Sequence, residues 1–233
     1  MFELLKRLVA ALWTRFGRSG GDDETPFKLG DDLASRIVKA MMKNGYTVDA
    51  APGYVNIVYV EGMDPNGSAN ANRPNEFNDL RLCIAFDGKT PKIIGLWEAT
   101  TEPSRHWTLR PMNAKGAARI KFGQYTAWRV GVHNRNHHAL VQVRPITVCR
   151  DLNKDFERRG DKEDTGLFGI NQHWGYDLPV GDLGTSSAGC LVGRTRAGHR
   201  AFMATVKSDP RYGEDDQFVF TTTILSTADV INA

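Results

Sequence analysis

"YTAWRVGVHNRNHHALVQVRPITVC", residues Tyr125 to Cys149, decides the fold class. Its runs "YTAWRVGV", "ALVQV" and "ITVC" are rich in β-branched and aromatic residues, which suit a pleated, half-buried surface. Polar residues separate the first two, so "GVHNRNHHALVQV" reads as a β-hairpin. The same pattern continues outward. Upstream lie "YVNIVYV", "LRLCIAF" and "KIIGLWEA", broken by the turn signals "DPNGSANANRPN" and "FDGKTP". Downstream, "GLFGINQHW" reads as a strand ending at His173, and "QFVFTTTIL" as the last strand. One helix is expected from a cap at Asp31 and Asp32 to about Asn44, with Leu33, Ile37, Val38 and Met41 as its apolar stripe. Another is expected in "TRAGHRAFMATVKSD". Strands do not alternate with helices, so the expected class is mainly β with a few helices (α+β) and not a doubly wound parallel sheet.

The chain has 233 residues, 41% hydrophobic and 24% charged, which gives enough apolar material for a sizeable core. No run approaches the roughly 18 apolar residues that would span a bilayer. Residues 1–16 carry Leu5, Leu8, Leu12 and Phe16 at helical spacing, with Trp13 and basic residues alongside. They read as an amphipathic helix suited to packing on a protein or to peripheral membrane contact. Residues 17–27 read as a flexible linker, and 28–233 as a single β-rich catalytic domain. No secretion signal is evident. The expected route is therefore synthesis in the cytoplasm and action at the cell wall or periplasm, for example after release by phage lysis.

Charge is unevenly placed along the sequence. Between Pro103 and Arg150 there is no Asp or Glu, while Arg105, Arg110, Lys115, Arg119, Lys121, Arg129, Arg135, Arg144 and Arg150 fall there. A one-signed segment favours an anionic partner. Trp107, Phe122, Tyr125 and Trp128 lie among those cations, so segment 103–150 also admits a nucleic-acid-binding reading. No nucleic-acid motif accompanies it, and no nucleic acid is expected as partner.

Chemistry points to "GINQHWGYDLPVGDLGTSSAGC", Gly169 to Cys190. Cys83 and Cys149 sit in apolar strand-like runs and read as buried thiols, whereas Cys190 has small, polar neighbours. A cysteine nucleophile needs a base to take its proton, and His173 at a strand end provides one. Small residues at Ala188 and Gly189 let a carbonyl approach the backbone. The Ser187 hydroxyl and the Cys190 N–H are candidate oxyanion donors. Ser186, Trp174 and Tyr176 are candidate walls of the cleft. Three sets of possible metal donors are weaker. His133, His137 and His138 sit at a hairpin tip without a helix to align them. His173, Asp177 and Cys190 offer zinc donors, but Ser-Ala-Gly before the cysteine suits an oxyanion turn better. The loop Arg150–Asp155 lacks the glycine and terminal glutamate of a calcium loop. No metal and no cofactor is expected.

The order His173, thirteen residues, then Ser187-Ala188-Gly189-Cys190 resembles the L,D-transpeptidase (YkuD-like) catalytic domains, which carry a histidine followed by Ser/Thr-His-Gly-Cys. Phe122-Gly123-Gln124-Tyr125 resembles that family's Pro-x-Gly-x-Tyr strand, and Arg194 its downstream arginine. The resemblance covers roughly Gly116 to Arg211. It implies a β-sandwich core, Cys190 as nucleophile, His173 as base, and a backbone carbonyl at Trp174 or Gly175 that orients the imidazole. It also implies peptidoglycan stem peptides as substrate, with Arg194 pairing their carboxylates. The family's second histidine is Ala188 here, which places the chain in a divergent branch resembling phage and prophage cell-wall proteins. Transfer and hydrolysis both remain open, and a non-catalytic wall-binding module is the alternative to an enzyme.

Overall fold

The computed structural model describes residues 26–233. The amphipathic helix expected over 1–16, and the linker over 17–27 apart from its last two residues, lie outside the described residues. The described chain is mainly β, with helices at its edges. In order it forms α1 (Leu33–Lys43), β1 (Asn56–Glu61), β2 (Asp79–Asp87), β3 (Thr90–Thr100), α2 (Arg105–Leu109), β4 (Ala117–Ile120), β5 (Gly123–His133), β6 (His137–Gln142), β7 (Ile146–Asp151), β8 (Lys162–Gly166), β9 (Gln172–Trp174), β10 (Leu191–Gly193), α3 (Arg196–Lys207), α4 (Pro210–Glu214), β11 (Phe220–Ser226) and α5 (Thr227–Ile231). Among the described residues no helix is long and apolar enough to cross a membrane.

Two sheets result. The larger one closes on itself in the order β1-β11-β5-β6-β9-β10-β3-β2, and the smaller is β4-β7-β8. The resemblance implies a sandwich; here the larger sheet is instead a barrel, because β1 pairs with β2 on one side and in parallel with β11 on the other. β1 is buried along its whole length, and its faces serve different cores. Ile57 and Tyr59 join the barrel interior with Trp128, Leu140, Leu191 and Ile224. Val58 and Val60 join an outer core with Leu80, Leu82 and Ile84 under Ile37, Val38 and Met41 of α1. Burial on both faces explains why "NIVYV" lacks the polar alternation of a half-exposed strand. Asp32 caps α1 by accepting from the Ser35 amide, and Gly45 at φ 71° ends it, a conformation that costs glycine little. In "GLFGINQHW" Gly166 closes β8 and Gln172–Trp174 forms β9, with a loop between them.

Buried charges tie the small sheet to the barrel. Arg119 on β4 is fully buried, bonds Glu102 just after β3, and lies 3.8 Å from Asp151 on β7. Arg158 grips both oxygens of Glu61, with Nη1 to Oε1 at 2.6 Å, and lies over the Phe122 ring. Thr101 Oγ1 lies 2.7 Å from Glu61 and 2.9 Å from Asp79. Burial pushes the Asp79 carboxyl well above its ordinary range, and Glu61 and Glu102 push it further. Burial alone would also raise Glu61, but Arg158 outweighs it and holds Glu61 below its ordinary value. Removing one partner of such a set strands a charge away from water. Arg119→Met is expected to lower stability by about 3 kcal/mol or more, measured as a shift of the urea midpoint at unchanged slope.

Candidate active site

Parallel pairing of β9 with β10 builds the site. Leu191 faces Gln172 and Val192 faces His173, so Cys190 arrives beside Asn171. The Asn171 amide donates to Cys190 Sγ at 3.5 Å, and the Leu191 amide donates to the Asn171 carbonyl at 3.0 Å. Cys190 and His173 both line a cavity of about 800 Å³, together with His133, Tyr176, Ser186 and Ala188. Cys190 is half-buried, while Cys83 and Cys149 are buried in the β framework.

His173 Nδ1 lies 2.8 Å from the Trp174 carbonyl. A carbonyl only accepts, so the proton sits on Nδ1 and Nε2 carries the lone pair. The expected orienter is therefore Trp174. Gly175 instead donates to the Gly193 carbonyl at 2.7 Å and sits against Phe77, which a Cβ would approach to 2.5 Å. Among the described residues no hydrogen bond joins His173 to Cys190. Burial pushes the Cys190 thiol up to about 11, partly opposed by the Asn171 amide. Burial also lowers His173 to about 3, helped by neighbouring His133. The resting site thus holds a neutral thiol and a neutral imidazole.

The turn before Cys190 is set by close approach. Gly189 has φ 124°, and a Cβ there would lie 2.4 Å from the Ala118 carbonyl oxygen on β4. The Ser187 hydroxyl donates to the Cys190 carbonyl at 2.9 Å and accepts from the Gly189 amide at 3.2 Å. Ser187 is fully buried, so its hydroxyl shapes the turn and does not face a ligand, which corrects its expected part as an oxyanion donor. Among the described residues the Ala188 and Cys190 amides donate to no protein acceptor.

Other expected residues divide. Tyr176 walls the cavity at φ 61°, with its hydroxyl 3.4 Å from Asn134 Nδ2. Ser186 also faces the cavity, and its hydroxyl donates to the Leu183 carbonyl. Trp174 contributes its carbonyl, while its indole packs on His137 outside the cavity lining. Arg194 stands apart, because its Nε bonds Glu98 at 2.6 Å and the side chain lines a different surface depression. Asp177 pairs with Arg196. Among the described residues no three His, Cys, Asp or Glu side chains converge as metal ligands.

The acid-free segment 103–150 is neutralised in part, at Lys115, Arg119, Lys121 and Arg150. Asp164 takes Lys115 and Arg150, Glu163 takes Lys121, and Glu102 takes Arg119. Trp128 is wholly buried in the barrel and donates to the Ile170 carbonyl. These pairings and the burial of Trp128 remove those residues from any phosphate-tracking surface.

His133 and Asn171 are the site residues that sequence reasoning missed. The His133 ring stacks on His173 with centroids 4.2 Å apart and planes within 8°. Its Nδ1 lies 3.0 Å from Asn171 Nδ2. The signal was present in the hairpin itself, since the last residue of β5 was bound to end near one rim of the sheet. Its neighbour in space was not written there. Comparison with protein-family models, curated proteins and solved structures finds no match. A raised thiol predicts a distinctive reactivity profile. Alkylation of Cys190 by iodoacetamide is expected to rise about tenfold per pH unit from pH 7 to 10 as the thiolate fraction grows. A plateau below pH 7 would show instead a preformed thiolate–imidazolium pair.

Proposed function

We propose that the protein is a cysteine-dependent enzyme that forms an acyl-enzyme on amide bonds of peptidoglycan stem peptides. One observation carries the reading: Cys190 and His173 share one cavity, with the imidazole already oriented by the Trp174 carbonyl. Its Nε2 lone pair takes the Cys190 proton as sulfur attacks the substrate carbonyl carbon. Charge develops on the carbonyl oxygen, near backbone amides of the Ala188–Cys190 turn that have no protein acceptor. Collapse of the tetrahedral adduct breaks the C–N bond, and the His173 imidazolium returns the proton to the leaving amine. Water or a second amine then releases the acyl group. Because thiol and imidazole both rest neutral, proton transfer belongs to the attack itself and does not precede it.

The substrate class rests on the resemblance of the His173 to Cys190 motif and on a cavity large enough for a peptide. Arg150 lines that cavity, but its Nε already bonds Asp164 at 3.0 Å, so it does not take over the carboxylate-pairing part expected of Arg194. Purified sacculi incubated with the protein are expected to yield cleaved or newly cross-linked stem peptides by mass spectrometry, and Cys190→Ala to yield none. Sacculi that are bound but chemically unchanged by both proteins would favour the wall-binding module instead.

A further inference from the structure

The reading above leaves one histidine in the cavity without work. Asn171 determines its protonation. The Gln142 backbone amide donates to Asn171 Oδ1 at 2.9 Å. That bond identifies the oxygen, so the group 3.0 Å from His133 Nδ1 is the Asn171 NH₂. An NH₂ only donates, so His133 Nδ1 accepts and its proton must sit on Nε2. His173 is the mirror case, with its proton on Nδ1 facing Trp174. Two parallel rings 4.2 Å apart therefore both leave Nε2 free of protein partners among the described residues and in opposite protonation states, a lone pair on His173 and an N–H on His133.

Among the described residues His133 Nε2 has no hydrogen-bond partner within the protein, and its ring lines the cavity that holds Cys190. We propose that His133 is an oxyanion donor, a neutral imidazole whose Nε2–H binds the carbonyl oxygen attacked by Cys190. This extends the acyl-enzyme reading and rests on it. It is not a proton donor to the leaving amine. Giving up the Nε2 proton while Nδ1 accepts from Asn171 would leave an imidazolate, which is far too basic. A neutral imidazole is nonetheless an effective electrophile when its charged form is suppressed. Suppression has two sources here. Burial, with His137 nearby, holds His133 below its ordinary value. The stack adds to it, because two imidazolium rings at this distance repel, so the proton that His173 takes from Cys190 keeps its neighbour neutral. Asn171 thus serves both reactants, its backbone N–H toward Cys190 Sγ and its side chain toward His133.

Two probes of Cys190 separate this part from a structural one. Acylation by a p-nitrophenyl ester forms an oxyanion, whereas alkylation by iodoacetamide displaces iodide without one. His133→Leu is expected to slow single-turnover acylation about 100-fold while alkylation changes less than about threefold, and His133→Gln, which restores an N–H donor, to recover about tenfold. The proposal is overturned if His133→Leu acylates at the wild-type rate, if acylation and alkylation fall together, or if the wild-type thiol alkylates but never acylates. A wild-type protein that acylates, with the expected His133 dependence, yet leaves sacculi untouched would retire the peptidoglycan substrate and leave the donor assignment standing.

Discussion

Everything at the candidate site depends on one short parallel contact, the pairing of Gln172–Trp174 with Leu191–Gly193. Three residue pairs suffice because the partners on either side are long. β10 lies against β3, and β9 touches β6. The contact puts Val192 opposite His173, and so fixes Cys190 two residues earlier, just before the strand. The loop between them packs by its own apolar residues, with Leu183 buried against Phe77 and Val192. A histidine and a cysteine far apart in sequence thereby become neighbours through backbone hydrogen bonds. Such bonds are insensitive to side-chain identity in the intervening loop.

Much of this was legible in advance. The strand runs around Tyr59, Cys83, Trp97, Trp128 and Leu140 announced themselves through β-branched and aromatic content, and α1 through its Asp32 cap and apolar stripe. His173 and Cys190 were legible because each has a chemical signature in its neighbours. Three things were not. Barrel closure depends on β1 meeting β11, and nothing local in either strand names its partner. Ser187 looked like a donor to substrate, but its hydroxyl is consumed by the turn it sits in. Arg194, Lys115, Arg119, Lys121 and Arg150 looked free because their carboxylate partners, Glu98, Glu102, Glu163 and Asp164, lie outside the local window. Linear charge patterning reports composition along the chain, and tertiary structure decides which of those charges meet solvent.

The interior also holds a cation that the site lies close to. Arg81 is fully buried on β2, with its guanidinium over the Phe202 ring at 4.1 Å and its Nη1 3.1 Å from His199 Nδ1. His199 Nε2 donates to the His138 carbonyl at 2.9 Å, so Nδ1 is the acceptor and His199 is neutral. Burial lowers His199 to about 3, and the Arg81 charge reinforces it. Aromatic faces and one imidazole lone pair take the place of a carboxylate around this guanidinium. Gly193 permits the arrangement, since a Cβ there would lie 2.1 Å from Arg81 Nη2. The glycine that ends β10 is thus required by a side chain from β2, on the far side of β3, and the strand that positions Cys190 is registered against a buried charge as well as against β9.

Barrel closure has a consequence for how the chain reaches its native state. Val58 is an early strand residue, and its partner Thr223 belongs to the last strand. A polypeptide emerging from the ribosome can form the β5–β6 hairpin and the β2–β3 pair at once, because those contacts are local. β1 must wait with one edge unpaired until residues 220–226 have been made. Its apolar run would be a hazard in that interval, since an exposed, unpaired strand edge templates association with other chains. α1 covers one apolar face of β1 and is synthesised first, so only the strand's edge, and not that face, has to wait for β11.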